Sequence, residues 1–197
     1  MTKVKICGLK RIEDIDYVNE LKPDYIGLVF ANSKRKVEVE QAKELIARLD
    51  KSIKPVGVFV MEEPEKVRHI AEEAGLQVLQ FHGNESYEYL EKFQDFEVWK
   101  ALKINEEFDF NSLNYDLCSK YLLDNVKPGS GETFDWKLVD NKIKNQQIIL
   151  AGGLTIENVQ EGIKALKPYG VDVSSGVEVQ GLKDFNKIKE FINKVRF

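Results

Sequence analysis

The sequence predicts a (β/α)8 barrel, and three observations predict it. Eight short apolar runs alternate along the chain with longer charged segments of helical period. The 197 residues divide among them at about 25 per strand-plus-helix unit, short but sufficient for a parallel crossover. Glycine, polar and reactive residues gather where the runs end, which is where a barrel builds its active site. A doubly wound open sheet is the competing layout, but it usually has fewer strands and gives no reason for that recurrence.

The elements follow in order. The run Val4–Ile6 precedes a helical pattern over Glu13–Leu21, and Tyr25–Phe30 precedes Val39–Leu49. Pro55–Val60 leads to Glu63–Ala74, and Val78–Phe81 to Ser86–Phe93. Most runs are near-continuous Val, Ile and Leu, as strands covered by helices require. After Val98–Leu102 the segment Asn105–Cys118 carries Asn105, Asp109, Asn111 and Asn114. Such side chains compete for the backbone, so helix 5 is expected to be short or missing. Tyr121–Leu123 precedes Trp136–Ile143, Ile148–Ala151 precedes Ile156–Leu166, and Val171–Val173 precedes Phe185–Val195. With no linker or composition break, residues 1–197 read as a single compact domain.

Composition removes several classes of function. Lys and Arg number 29 against 33 Asp and Glu, a net charge of −4, so no basic surplus awaits nucleic-acid phosphates. The two cysteines, Cys7 and Cys118, support neither a disulfide framework nor a thiolate zinc site. Lysines interrupt the first residues too often for a signal peptide, and no run approaches the roughly 20 apolar residues of a membrane span. The expected setting is the cytoplasm, with no nucleic acid, membrane or obligate protein partner.

Several residues at the expected barrel mouth carry chemistry. Leu150-Ala151-Gly152-Gly153-Leu154 and Asp172-Val173-Ser174-Ser175-Gly176 are small-residue turns one unit apart. Glycines let backbone N–H groups approach an anion, and barrels commonly hold a phosphate between these two loops. Cys7 ends strand 1, and alternation puts Lys3, Lys5 and Cys7 on the face opposite Val4 and Ile6. It is either a small buried hydrophobe or a reactive thiol in the mouth. Cys118 precedes strand 6 and reads as packing. Asp124 ends strand 6 as a loop cap or a mouth-facing acid, and Lys127–Trp136 after it suits a flap. Arg35 follows strand 2, where its fork suits a carboxylate. His82 ends strand 4; with one mouth histidine and no acidic cluster, a metal site is not expected.

The ordered set resembles the phosphoribosylanthranilate isomerase family of tryptophan biosynthesis over the whole length. Lys5-Ile6-Cys7-Gly8, Gly27-Leu28-Val29-Phe30 with Ser33-Lys34-Arg35, and Gln80-Phe81-His82-Gly83 carry the resemblance. So do Val56–Phe59, Leu122-Leu123-Asp124, Gly129-Ser130-Gly131 with Thr133–Trp136, Ala151–Leu154 and Val171–Glu178. The chain departs from the pattern at Asn125, where small hydroxyl residues are common, and at Ala151, which replaces a frequent serine.

The resemblance implies a cofactor-free Amadori rearrangement of a phosphorylated small molecule. It makes Asp124 the general acid and Cys7 the general base, and it makes Arg35 the partner of the anthranilate. Gly152, Gly153, Ser174, Ser175 and Gly176 would hold the phosphate, with His82 and Asp172 also toward the substrate. These roles need the reverse of ordinary protonation, since an aspartate titrates near 3.9 and a cysteine near 8.5. Nearby cations are expected to lower Cys7, and desolvation to raise Asp124. Alternation also turns Lys5 and Asp172 toward one another across the strand 8–strand 1 seam, and a buried ammonium needs such a partner.

Rival readings differ at identifiable residues. A metal-dependent epimerase would need several mouth histidines and carboxylates. The histidine-pathway isomerase has an aspartate rather than a cysteine at the end of strand 1. A barrel that only binds phosphorylated ligands would need neither Cys7 nor Asp124.

Overall fold

The computed structural model describes residues 1–125, 133–139, 143 and 147–197. Strands β1 (Lys3–Cys7), β2 (Tyr25–Val29), β3 (Lys54–Phe59), β4 (Val78–Phe81), β5 (Glu97–Ile104), β6 (Lys120–Asn125), β7 (Ile148–Leu150) and β8 (Gly170–Val173) hydrogen-bond in sequence order into a closed barrel. Every neighbouring pair is parallel, and β8 closes on β1 with Lys5 opposite Asp172. A two-stranded hairpin, β9 (Glu178–Val179) with β10 (Leu182–Lys183), follows β8.

The strands bury both faces, which is why they read as continuous apolar runs. Their outer faces meet the helices in a layer containing Val4, Ile6, Ile26, Leu28, Leu79 and Leu123. Their inner faces form a second cluster of Tyr25, Val56, Val78, Trp99, Leu122 and Ile149. The Tyr25 ring meets Trp99 edge-on at 5.0 Å, and its hydroxyl lies 2.7 Å from that of Tyr169. Side chains therefore fill the barrel below, and its mouth lies at the strands' C-terminal ends.

Helices α1 (Ile12–Leu21), α2 (Val39–Arg48), α3 (Pro64–Ala74), α4 (Tyr87–Leu90), α5 (Val159–Leu166) and α6 (Phe185–Arg196) cover the strands. Their limits follow from local chemistry. Pro64 opens α3, whose missing N–H has no helical partner to lose, and Gly75 closes it at φ 68°. Asp184 caps α6 by accepting from Lys187 N at 2.9 Å.

Three helical expectations are corrected, and the short or missing helix expected of Asn105–Cys118 is borne out. Ser86–Phe93 divides into α4 and a 3-10 turn at Glu91–Phe93. Asn105–Cys118 yields only the 3-10 turn Phe110–Ser112, where Asp109 accepts from Asn111 N and Ser112 Oγ donates to Asp109 O. Of Trp136–Ile143, the described part is a 3-10 turn over Trp136–Val139, and the rest lies largely outside the described residues. The helix expected from Ile156 begins at Val159, because Asn158 ties back the turn before it, accepting from Thr155 N and donating to Gly153 O. Among the described residues no helix is long and apolar enough to cross a membrane.

Candidate active site

Cys7 lies at the mouth end of β1, buried on the face opposite Val4 and Ile6. Its register partner is Gly27, and a side chain there would stand 2.6 Å from Cys7 Sγ and 3.1 Å from Lys5 Nζ. Gly27 thus leaves the room that lets thiol and ammonium share one pocket. Lys5 Nζ pairs with Asp172 Oδ1 at 3.0 Å across the seam, with side-chain exposures of 1% and 9%. The expected pair forms, and it engages Asp172 below the mouth surface rather than leaving it free for substrate. Burial works to lower the Lys5 ammonium, but Asp172 and Cys7 outweigh it and hold it above its ordinary value. Burial pushes the Cys7 thiol up, and the opposing pull of Lys5 and Lys183 does not offset it. The expectation of a lowered thiol is thereby corrected: desolvation at the base of a narrow mouth exceeds the attraction of two ammonium groups.

A connected set of charges lies above Cys7. The Arg35 stem crosses Gly8, whose φ of 81° and lack of a side chain both serve that crossing, since a Cβ would overlap Arg35 Cδ. The guanidinium forks Glu178, Nε to Oε1 at 2.7 Å and Nη2 to Oε2 at 2.9 Å. Lys183 Nζ donates to Glu178 Oε1 at 2.7 Å and to Ser174 O at 2.9 Å, and Ser174 Oγ donates to Cys7 O at 2.9 Å. Burial works to raise the Glu178 carboxyl, but Arg35 and Lys183 outweigh it and hold it at about 2. Burial lowers Lys183 despite Glu178. So the expected carboxylate-binding arginine already grips a carboxylate of its own chain. Sequence reading missed Glu178 and Lys183, which sit on the β9–β10 hairpin. The available signal was Gln180-Gly181, both at positive φ (51° and 79°), between Val179 and Leu182.

Across the mouth, Asp124 ends the apolar part of β6. Its Oδ1 accepts from Asn125 N at 2.7 Å and its Oδ2 lies 3.0 Å from His82 Nε2. His82 Nδ1 is 2.9 Å from Gln80 Nε2. Gln80 is buried, and its signal was a polar residue inside the apolar run Val78–Phe81. Beside this chain a cavity of about 300 Å³ is lined by His82, Lys100, Leu102, Lys103, Phe108 and Asp124. Lys100 pairs with the buried Glu85 at 3.0 Å, and Glu85 accepts from Gly83 N and Met61 N. That pair secures the loop after β4.

The two glycine loops join the halves. Gly152 and Gly153 adopt φ of 72° and 70°, and a side chain on Gly152 would come within 2.5 Å of Asp124 Oδ1. Gly176, in the turn Ser175–Val177, packs against the Leu154 carbonyl so closely that a Cβ would overlap it. Ser174 reaches Cys7 as described. The other expectations are dispersed: Cys118 is buried among outer-layer residues, where burial pushes its thiol up to about 11, and His69 is exposed on α3. Of the expected flap, positions 127–132 lie outside the described residues, while Trp136 packs on Gly162 of α5. Among the described residues no group of three His, Cys, Asp or Glu could hold a metal ion.

Residues 4–194 match the family model described as N-(5'-phosphoribosyl)anthranilate (PRA) isomerase. An N-(5'-phosphoribosyl)anthranilate isomerase of Thermoanaerobacter pseudethanolicus is 54% identical, covering 100% of this chain and 98% of its own. The phosphoribosyl anthranilate isomerase of Thermotoga maritima superposes with a TM-score of 0.90 at 39% identity, covering 100% of this chain and 99% of its own. A further such isomerase, solved in complex with reduced 1-(o-carboxyphenylamino)-1-deoxyribulose 5-phosphate, gives 0.88 at 37% identity, covering 100% and 99%.

Proposed function

The chain belongs to the N-(5'-phosphoribosyl)anthranilate isomerase family, and from that membership we propose which side chains carry its reaction. The reaction is the rearrangement of N-(5'-phosphoribosyl)anthranilate to 1-(o-carboxyphenylamino)-1-deoxyribulose 5-phosphate, a step of tryptophan biosynthesis. Asp124 acts as the general acid, protonating the ribose ring oxygen as its bond to C1′ breaks and the anilino nitrogen becomes an iminium. Cys7 acts as the general base, taking the C2′ proton to give an enolamine. The C2′ hydroxyl then gives up its proton and C1′ gains one, leaving the ketone.

One observation carries this assignment. Each glycine loop touches one reacting group: Gly152 lies against Asp124, and Ser174 donates to the Cys7 carbonyl. A phosphate held by the backbone of Gly152, Gly153, Ser175 and Gly176 therefore delivers its ribose between acid and base. With one edge of Arg35 on Glu178, its Nη1 edge is left to orient the substrate carboxylate. His82 acts through Asp124, and Asp172 through Lys5 rather than on the substrate. The enzyme works as one domain over 1–197 on a small phosphorylated substrate. The cytoplasm is its setting, where a catalytic thiol stays reduced.

The decisive experiment follows the fluorescence of phosphoribosylanthranilate as purified protein consumes it in the presence of a chelator. Cys7→Ala and Asp124→Ala are each expected to lose about 10²–10⁴-fold in kcat. Inorganic phosphate should still bind both variants. Near-normal turnover by either variant removes that residue from the mechanism.

A further inference from the structure

The hydrogen-bond chain behind Asp124 ends at an atom with no partner. Gln80 Nε2 is 2.9 Å from His82 Nδ1, and His82 Nε2 is 3.0 Å from Asp124 Oδ2. Gln80 Oε1 is buried and has no hydrogen-bond partner among the described residues. With the Gln80 amide in this orientation its N–H donates, so His82 Nδ1 accepts and the proton of a neutral ring sits on Nε2. In this arrangement His82 donates to Asp124 Oδ2, a hydrogen bond that an ionised carboxylate accepts. The arrangement fits the spent acid, after its proton has gone to the ribose ring oxygen.

Recharging the acid adds one proton to the His82–Asp124 pair. Oδ1 of Asp124 already accepts from Asn125 N at 2.7 Å, which places the proton on the Oδ2 side, and two forms can hold it at that contact: imidazolium beside carboxylate, or neutral imidazole accepting from the Asp124 hydroxyl. In both, His82 Nδ1 carries a hydrogen, and that hydrogen would point at the Gln80 N–H. A half-turn of the Gln80 amide removes the conflict by bringing Oε1 to Nδ1. The unpartnered oxygen is thus the acceptor that the proton-loaded pair requires.

We propose that Gln80 is a positioning residue for the acid step, its amide turning over as the His82–Asp124 pair gains and loses the catalytic proton. The inference rests on Asp124 being the general acid. Among the described residues, the other charges facing the pair come from neighbouring elements and are otherwise engaged or exposed. Lys100 of β5 is held by Glu85 and by the carbonyls of Gly83 and Ala101, and Lys103, opposite Asp124 in register, is exposed. From the loop after β7 the backbone of Gly152 approaches Asp124.

The test reads the histidine directly. In ¹⁵N-labelled wild-type protein, His82 is expected as the Nε2–H tautomer where Asp124 is ionised. Lowering the pH should protonate Nδ1 and move the Gln80 side-chain amide resonances over the same range. Gln80→Glu, whose carboxylate only accepts, should place a hydrogen on Nδ1 throughout and move the alkaline limb of the kcat profile to higher pH. Gln80→Leu should lower kcat by about 10- to 100-fold, the usual cost of losing an outer partner that orients a reacting group, with KM changed less than about threefold. An Nδ1–H tautomer in wild type where Asp124 is ionised, or Gln80 resonances that ignore the His82 titration, would overturn the proposal without any variant having to fold. A Gln80→Leu pH profile superimposed on wild type would also overturn it. Full turnover by Asp124→Ala would instead remove the acid assignment and leave the tautomer result standing.

Discussion

The two halves of the barrel mouth control protons by different means. Around Cys7 the neighbouring charges are set by ion pairs: Lys5 with Asp172, and Arg35 and Lys183 with Glu178. Around Asp124 the contacts are single hydrogen bonds through His82 and Gln80, beside a cavity of about 300 Å³. A buried ion pair is costly to break and keeps its charge distribution constant. A chain of hydrogen bonds through an imidazole and an amide can reverse its direction at little cost. The base half is therefore built to hold a field steady, and the acid half to let a proton come and go.

The comparison breaks most sharply on stability. Asp172→Ala leaves the Lys5 ammonium buried and unpaired, and is expected to cost about 3–5 kcal/mol. His82→Ala removes two hydrogen bonds at a partly exposed position and should cost about 1–2 kcal/mol. Urea unfolding of the two variants gives both numbers. Equal losses would mean that the seam pair is no more structural than the acid chain. The double change Lys5→Met with Asp172→Leu should regain most of the stability while losing turnover.

A second measurement sharpens the electrostatic side. In a Cys118→Ala background, the ultraviolet absorbance of the Cys7 thiolate should appear at a pH above the ordinary thiol range near 8.5. Lys183→Met removes a cation that pulls the thiol down, so its midpoint should move higher still. His82→Ala should leave it in place. A wild-type midpoint below 8.5 would mean that the ammonium groups outweigh burial after all. Cys118→Ala itself is expected to leave kcat and KM unchanged.

The smallest effect concerns acid. Glu178 titrates at about 2 in the folded protein against about 4.3 unfolded. Its contribution is therefore complete above pH 4.3 and is lost as pH falls toward 2. Glu178→Gln should remove that part of the acid-side slope, leaving stability near neutrality lower and flatter below pH 4. An unchanged slope in acid unfolding would show that Arg35 and Lys183 do not hold the carboxyl down.

The fold was legible because each barrel strand is a self-contained apolar run, and Lys5 facing Asp172 followed from alternation plus closure. Asn105–Cys118 was legible as a weak helix for the same local reason, its Asn and Asp side chains taking backbone partners in turns. Glu178 was not legible, because its meaning depends on Arg35, 143 positions earlier, being carried over Gly8 to meet it. Nor was the upward push on Cys7, since sequence shows which cations are near a thiol but not how little water reaches it. Gln80 is a polar residue in an apolar strand that sequence reading passed over, and only the contact with His82 Nδ1 gives it a role.

The seam between β1 and β8 has a consequence for the protein's birth. Lys5 and Asp172 are 167 positions apart, so a chain leaving the ribosome exposes its thiol long before the carboxylate that balances the neighbouring ammonium. At about 5–20 residues per second that interval is roughly 10–30 s. Until β8 is made, the ion pair that fixes the Lys5 ammonium beside the thiol cannot form. The surroundings of a residue on the first barrel strand are therefore completed only when the last barrel strand joins it.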